Sequence, residues 1–221
     1  MATVVVTGAN RGIGLALATL LKERGDNVVA TCRQASAALN DLGVEVVPGV
    51  EVTDAAAGEQ VKAALGARKL DLLINNAGIL LKSGDLETPD YDAIRKQLEV
   101  NAIGPLRITS ALQSCFAPKA KVALITSRMG SIEDNTSGGA YGYRMSKAAL
   151  NIAGKSMAED LKAQGVAVTL LHPGMVKTDM IGGRGQVEPE EAARGLLARV
   201  DELSLESSGT FWHAKGQQLP W

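Results

Sequence analysis

The sequence predicts an α/β fold, a single domain over residues 1–221 built on a doubly wound parallel sheet with helices on both faces. Three observations predict it. Short β-branched runs alternate with longer Ala/Leu-rich helical stretches, the rhythm of βαβ units. The strand-like runs are near-continuous apolar rather than alternating, as in a sheet covered on both faces. The stretch "VVVTGANRGIG" ends a strand and opens a helix on three glycines.

"TVVVT" is the first strand, and "IGLALATLLKERG" the helix after it. "NVVAT", a short helical piece and "VEVVPG" complete the first half. "DAAAGEQVKAALGARK" reads as helix, "LDLLIN" as strand, and the region from about Pro89 to Phe116 as one long helical stretch. "KVALITS" is a strand, "YGYRMSKAALNIAGKSMAEDLKAQ" a helix and "VAVTLLHPG" a strand. "EPEEAARGLLARV" opens the last helix, with Pro189 suited to a first turn, and "GTFWH" forms a final short strand. Ligands of such a sheet bind beyond the carboxyl ends of its strands, where the crossover direction switches. The Gly-rich "MIGGRGQVEPEE" is either a surface connection or a lid; a substrate lid is expected over 179–192.

At 221 residues, 46% hydrophobic and 21% charged, the chain suits one core. Its 23 basic and 24 acidic residues give no footprint for nucleic acid or an anionic membrane, so neither is an expected partner. Cys32 and Cys115 lie in unrelated segments and read as reduced thiols. No apolar run approaches the ~18 residues of a membrane span, and structure begins too early for a presequence, so a cytoplasmic location is expected. His172 and His213 have no metal-ligand companion. They read as structural, and no metal is implied.

In the glycine loop, Gly8, Gly12 and Gly14 leave room for a pyrophosphate and free N–H groups at the helix start to face it. The spacing departs from G-x-G-x-x-G, and a tight connection would also explain it. Asn10, Arg11 and Ile13 complete the candidate cradle. About 20 residues on, where an acid usually receives the adenine ribose hydroxyl, "VVATCRQ" has none. Arg33 stands there instead, with Arg11 as a second cation; two guanidiniums can clamp a 2′-phosphate. NADP is the expected cofactor, NADPH its preferred form.

In "GGAYGYRMSKAAL" two tyrosines precede one lysine. Helical residues four apart differ by about 40° in direction, whereas residues six apart differ by about 120°. Tyr143, not Tyr141, therefore shares a face with Lys147, and Tyr141 is at most a wall of the substrate pocket. A nearby ammonium and an oxidised nicotinamide are expected to lower the phenol from its usual ~10.

With these motifs in order, almost the whole chain resembles the short-chain dehydrogenase/reductase family. "TGANRGIG" is similar to the family's cofactor turn and "NNAG" to its motif after the fourth strand; Asn101, Ser127, Tyr143 and Lys147 match its catalytic set. Pro173, Gly174, Val176 and Thr178 of "PGMVKT" match the segment that embraces the nicotinamide. The tail "SGTFWHAKGQQLPW" resembles the branch containing carbonyl reductases, the sniffer protein and the bacterial C-factor.

The resemblance implies roles. Asn76 braces the sheet, while Ala77 and Gly78 let the backbone approach the cofactor. Glu51 and Val52, in "EVTD", stand where the family often places Asp-Val against adenine. Tyr143 donates the proton, Ser127 hydrogen-bonds the substrate oxygen, and Lys147 binds the nicotinamide ribose and depresses the tyrosine. Asn101 completes the relay, its main chain holding a water behind Lys147. Arg128 greets an anionic substrate or faces solvent, and Met129, Met175 and Met180 line an apolar pocket or simply pack.

The implied activity is an NADPH-preferring carbonyl reductase acting on a small-molecule ketone or aldehyde, with the alcohol oxidised in reverse. The alternatives are an NAD-linked alcohol dehydrogenase and a cofactor-binding signalling protein of C-factor type. The reading leans to a homo-oligomer.

Overall fold

Val4, Val5 and Val6 are fully buried, which places their strand, β1 (Thr3–Thr7), inside a sheet rather than at its edge. In this computed structural model, which describes residues 1–221, β1 pairs with β2 (Asn27–Thr31) on one side and β4 (Leu70–Asn75) on the other. β3 (Glu45–Val47) lies outside β2. Beyond β4 follow β5 (Phe116–Ile125), β6 (Ala167–His172) and β7 (Thr210–His213). The order is β3-β2-β1-β4-β5-β6-β7, with every pairing parallel.

Parallel neighbours need crossovers, and seven helices supply them: α1 (Gly12–Glu23), α2 (Ala37–Asp41), α3 (Ala57–Leu65), α4 (Tyr91–Leu98), α5 (Gly104–Ala111), α6 (Tyr141–Lys162) and α7 (Pro189–Glu202). Side chains alternate across a strand, so the sheet feeds two cores. Val5, Leu73, Leu124 and Leu170 join α3, α5 and α6 in a cluster of 26 buried residues. Val4, Val6, Ile74 and Leu171 join α1 and α7 in one of 21. The chain leaves β1 toward one edge and β4 toward the other, so a crevice opens between their carboxyl ends. No helix is long and apolar enough to cross a membrane.

Two expectations are corrected. The region 89–116 is not one helix. α4 gives way to a π-helical turn at Glu99–Ile103, then to α5, and Phe116 already belongs to β5. Pro105, in the first turn of α5, has no N–H to donate, and a widened turn accommodates it. β5 begins before "KVALITS" because Phe116 pairs with Leu70 ahead of a register shift at Leu70/Leu72.

The glycine-rich segment is loop only as far as Glu188, because Pro189 starts α7. Before that, a short turn at Asp179–Ile181 runs into the left-handed Gly182 and Gly183. Lys177 N–H then donates to Val187 O at 2.8 Å and pins the loop's base.

Candidate active site

The crevice is a cleft of about 1060 Å3. Its floor is the turn after β1. Gly8 has φ +66°, and a Cβ there would stand 2.9 Å from Ala77 Cα; one on Gly14 would lie 2.2 Å from Gly8 O and 2.5 Å from Asn76 Nδ2. Asn76 Nδ2 donates to Thr7 O at 3.0 Å and Gly8 O at 3.1 Å, while Thr7 Oγ1 accepts from the N–H of Asn76 and Ala77. The bracing role expected of Asn76 is visible in these bonds. α1 opens on Arg11 without a side-chain cap and without an acid in its first turn. Its leading N–H groups are therefore left for an anion.

Gly8, Asn10, Arg11, Gly12, Ile13 and Gly14 line the cleft, as do Asn76, Ala77 and Gly78. Pro173, Gly174, Val176 and Thr178 face them from beyond β6, and Arg33, Glu51 and Val52 close the far end. Two of these cations are already paired. Arg33 Nη1 lies 3.6 Å from Glu51 Oε2, and Arg11 Nη1 lies 3.2 Å from Asp179 Oδ2, across the cleft.

Ser127, Tyr143 and Lys147 meet at the other end of the same cleft. Ser127 follows β5, and its Oγ accepts from Met129 N–H at 3.1 Å. Tyr143 lies in the first turn of α6, and Lys147 one turn on, its Nζ 5.7 Å from the tyrosine ring centre. Lys147 is buried and donates to Ile125 O at 2.9 Å. Gly130 lets the serine loop pack here, since a Cβ would stand 2.7 Å from the Lys147 carbonyl carbon.

Asn101 does not line the cleft. It sits fully buried in the π-helical turn, where its Oδ1 accepts from Ile79 N–H at 2.8 Å and its Nδ2 donates to Ile79 O at 2.8 Å and Ser146 Oγ at 2.9 Å. A Cβ on Gly78 would stand 3.2 Å from Asn101 Oδ1 and 3.7 Å from Lys147 Nζ. The asparagine thus braces the strand-end loop behind the lysine.

The short chain dehydrogenase family matches residues 2–188. The chain belongs to that family.

Among relatives of this short-chain dehydrogenase, the 1-hydroxy-2-glutathionyl-2-methyl-3-butene dehydrogenase of Rhodococcus sp. (strain AD45) is 43% identical, with 100% of both chains covered. The C-signal of Myxococcus xanthus is 46% identical over 69% of this chain and 93% of its own. The structure of an NADPH-bound carbonyl reductase from chicken fatty liver superposes with a TM-score of 0.88 at 33% identity, covering 100% of this chain and 99% of that one. The protein is thus an oxidoreductase of the carbonyl reductase and C-factor-like branch, and a nicotinamide cofactor is the group its cradle fits.

Electrostatics in the dehydrogenase site run against one expectation. The Tyr143 phenol is not lowered; burial pushes it up to about 12, only partly offset by a hydrogen bond with Ser127. Lys147 is itself pushed down to about 8 by burial. Both groups lose the water that would solvate their charged forms. The result suits a tyrosine that holds its proton until an oxygen beside it becomes basic.

Several side chains were misplaced or left open by sequence reasoning. Tyr141 does not line the cleft. Arg128 does, its Nε held by Asp134 Oδ2 at 2.6 Å. Met129, Met175 and Met180 all line it. His172, read as structural, also faces the cleft. Its position immediately before Pro173, in the segment already assigned to the cofactor, was the available signal.

Proposed function

We propose that the chain is an NADPH-preferring carbonyl reductase that converts a ketone or aldehyde to the alcohol. The observation that carries this reading is the meeting of Ser127, Tyr143 and Lys147 in one cleft with an intact glycine cradle. When bound, NADPH supplies the hydride. Ser127 would hydrogen-bond the substrate oxygen and stabilise the charge that grows there. Tyr143 would donate its proton to that oxygen. Lys147 would hold the nicotinamide ribose, and its ammonium would steady the phenolate left behind. Asn101 keeps the Ile79 loop in place behind it.

Preference for NADPH is supported by Arg33 at the end of β2, where no acid faces the ribose, and by the NADPH carried by the chicken carbonyl reductase. Glu51 would then orient Arg33, and Arg11 would join it on the 2′-phosphate. The 179–188 segment would act as the substrate lid, held to the glycine loop by the Arg11–Asp179 pair. A second reading, oxidation of a thioether-bearing alcohol, is favoured by the full-length likeness to the Rhodococcus dehydrogenase.

Both readings are tested by one panel: purified protein with NADPH or NADH and a range of aldehydes and ketones, and with NADP or NAD and alcohols that include a glutathione conjugate. Carbonyl turnover with NADPH supports the first reading. Cofactor binding without turnover of any carbonyl sinks it.

A further inference from the structure

α6 begins without a cap of its own. Ala140, just ahead of it, offers no side-chain oxygen and takes a left-handed φ of +46°, a conformation uncommon for a residue with a Cβ. The orphan N–H groups of a first turn are ordinarily met by the side chain of the residue that precedes the helix. Here the oxygen comes from 59 residues away: Gly142 N–H, second in the helix, donates to Ser83 Oγ at 3.1 Å. Ser83 lies in the loop between β4 and α4 and is buried.

The loop that carries Ser83 is itself pinned. Asn101 holds it at Ile79. Gln97 of α4, fully buried, accepts from Leu81 N–H at 3.0 Å and donates to Ala93 O at 3.2 Å. Asp90 N–H donates to Ser83 O at 2.9 Å. The first turn of α6 packs so closely on this frame that a Cβ on Gly142 would stand 2.3 Å from Gln97 Nε2, 3.1 Å from Ile94 Cα and 3.2 Å from Ser83 Cβ. Tyr143 follows Gly142 directly in the chain.

We propose that Ser83 is a positioning residue for Tyr143: its hydroxyl caps α6 from outside the helix and fixes the turn that holds the phenol in the cleft beside Ser127. This rests on the carbonyl reductase reading, in which Tyr143 is the acid, and adds to it a residue that acts through that acid. An uncapped first turn frays, and a displacement of about 1 Å at a reacting group costs about 100-fold in rate. Ser83 therefore governs the chemical step and not the binding of the cofactor.

The test measures the single-turnover rate of NADPH oxidation by a carbonyl from the aldehyde and ketone panel, in the wild type, Ser83→Ala, Ser83→Thr and Tyr143→Phe. Each rate is divided by the NADPH-binding sites counted in a fluorescence titration, so that unfolded protein does not enter. The expected result is a loss of about tenfold per site in the Ala variant, with NADPH affinity unmoved and most of the rate returned by Thr, which keeps the oxygen. A full rate per site in the Ala variant overturns the proposal even where the melting temperature falls, since the bond would then serve stability alone. So does a loss that follows weakened NADPH binding, which would place the effect on the cofactor turn, and so does a Thr variant as slow as Ala. A wild type whose rate depends on Tyr143 and not on Ser83 refutes the inference while leaving the reductase reading intact. One that binds NADPH and reduces no carbonyl refutes both. If the Ala variant binds no NADPH, Ser83→Cys, which keeps the shape and weakens the acceptor, decides in its place.

Discussion

Tyr141 and Tyr143 stand two residues apart on one helix, yet only Tyr143 reaches the cleft. General acid catalysis contributes about 10²–10⁴-fold, so Tyr143→Phe is expected to lower kcat by at least about 100-fold. Tyr141→Phe should stay near wild type, and equal losses in steady-state kinetics would contradict the assignment. Lys147 gives a pH signature. Its folded-state value of about 8 lies below the ordinary 10.5, so between those limits the unfolded chain binds more protons and stability rises with pH. Below about 8 the full cost of the buried ammonium is present. Thermal melts of the cofactor-free protein should therefore show Lys147→Met gaining on the wild type most at neutral pH, with the gap closing as pH climbs toward 10.5. A gap that widens with pH would contradict the buried charge. The pairing of Tyr143 with Lys147 was legible because helical spacing is local. The direction of the phenol's shift was not, because it depends on how deeply distant elements bury the ring.

At the level of elements, the π-helical turn at Glu99–Ile103 does the least predictable work. Apolar periodicity cannot separate a widened turn from a regular one, and Pro105 was the only local hint. The turn presents Asn101 to both backbone groups of Ile79 and to Ser146. Asn101→Ala strands the N–H of Ile79 and removes three hydrogen bonds made by a fully buried side chain, so a loss of about 2–4 kcal/mol is expected in urea unfolding. A loss under about 0.5 kcal/mol would mean that the loop is held by other contacts. The segment proposed as a lid was legible as glycine-rich, and so was the helix start at Pro189, but its tie to Arg11 was not, since the tie joins residues 168 apart in sequence.

Over the whole molecule, the sheet was readable because its central β-branched runs, such as those of β1, β2 and β6, are buried on both faces, with one core on each side. The cleft at the strand ends follows from the switch between β1 and β4. What the linear order could not show was that each arginine cast as a phosphate ligand has an acid partner. If Arg33 still serves the 2′-phosphate, Arg33→Ala should weaken NADPH binding about tenfold or more, one charge-assisted contact's worth, and leave NADH little changed in fluorescence titrations. Equal effects on both cofactors would reject the NADPH preference.

In the proposed reaction this cleft transfers a hydride from nicotinamide to a carbonyl carbon under proton donation by Tyr143. The most direct measurement uses NADPH deuterated at its transferable position, a ketone or aldehyde substrate, and mass spectrometry of the product. The proposed transfer predicts an alcohol carrying one deuterium on the former carbonyl carbon with the wild type, and none formed by Tyr143→Phe protein that still binds the cofactor. Unlabelled alcohol, or labelled alcohol made equally well by the Tyr143→Phe variant, would contradict it.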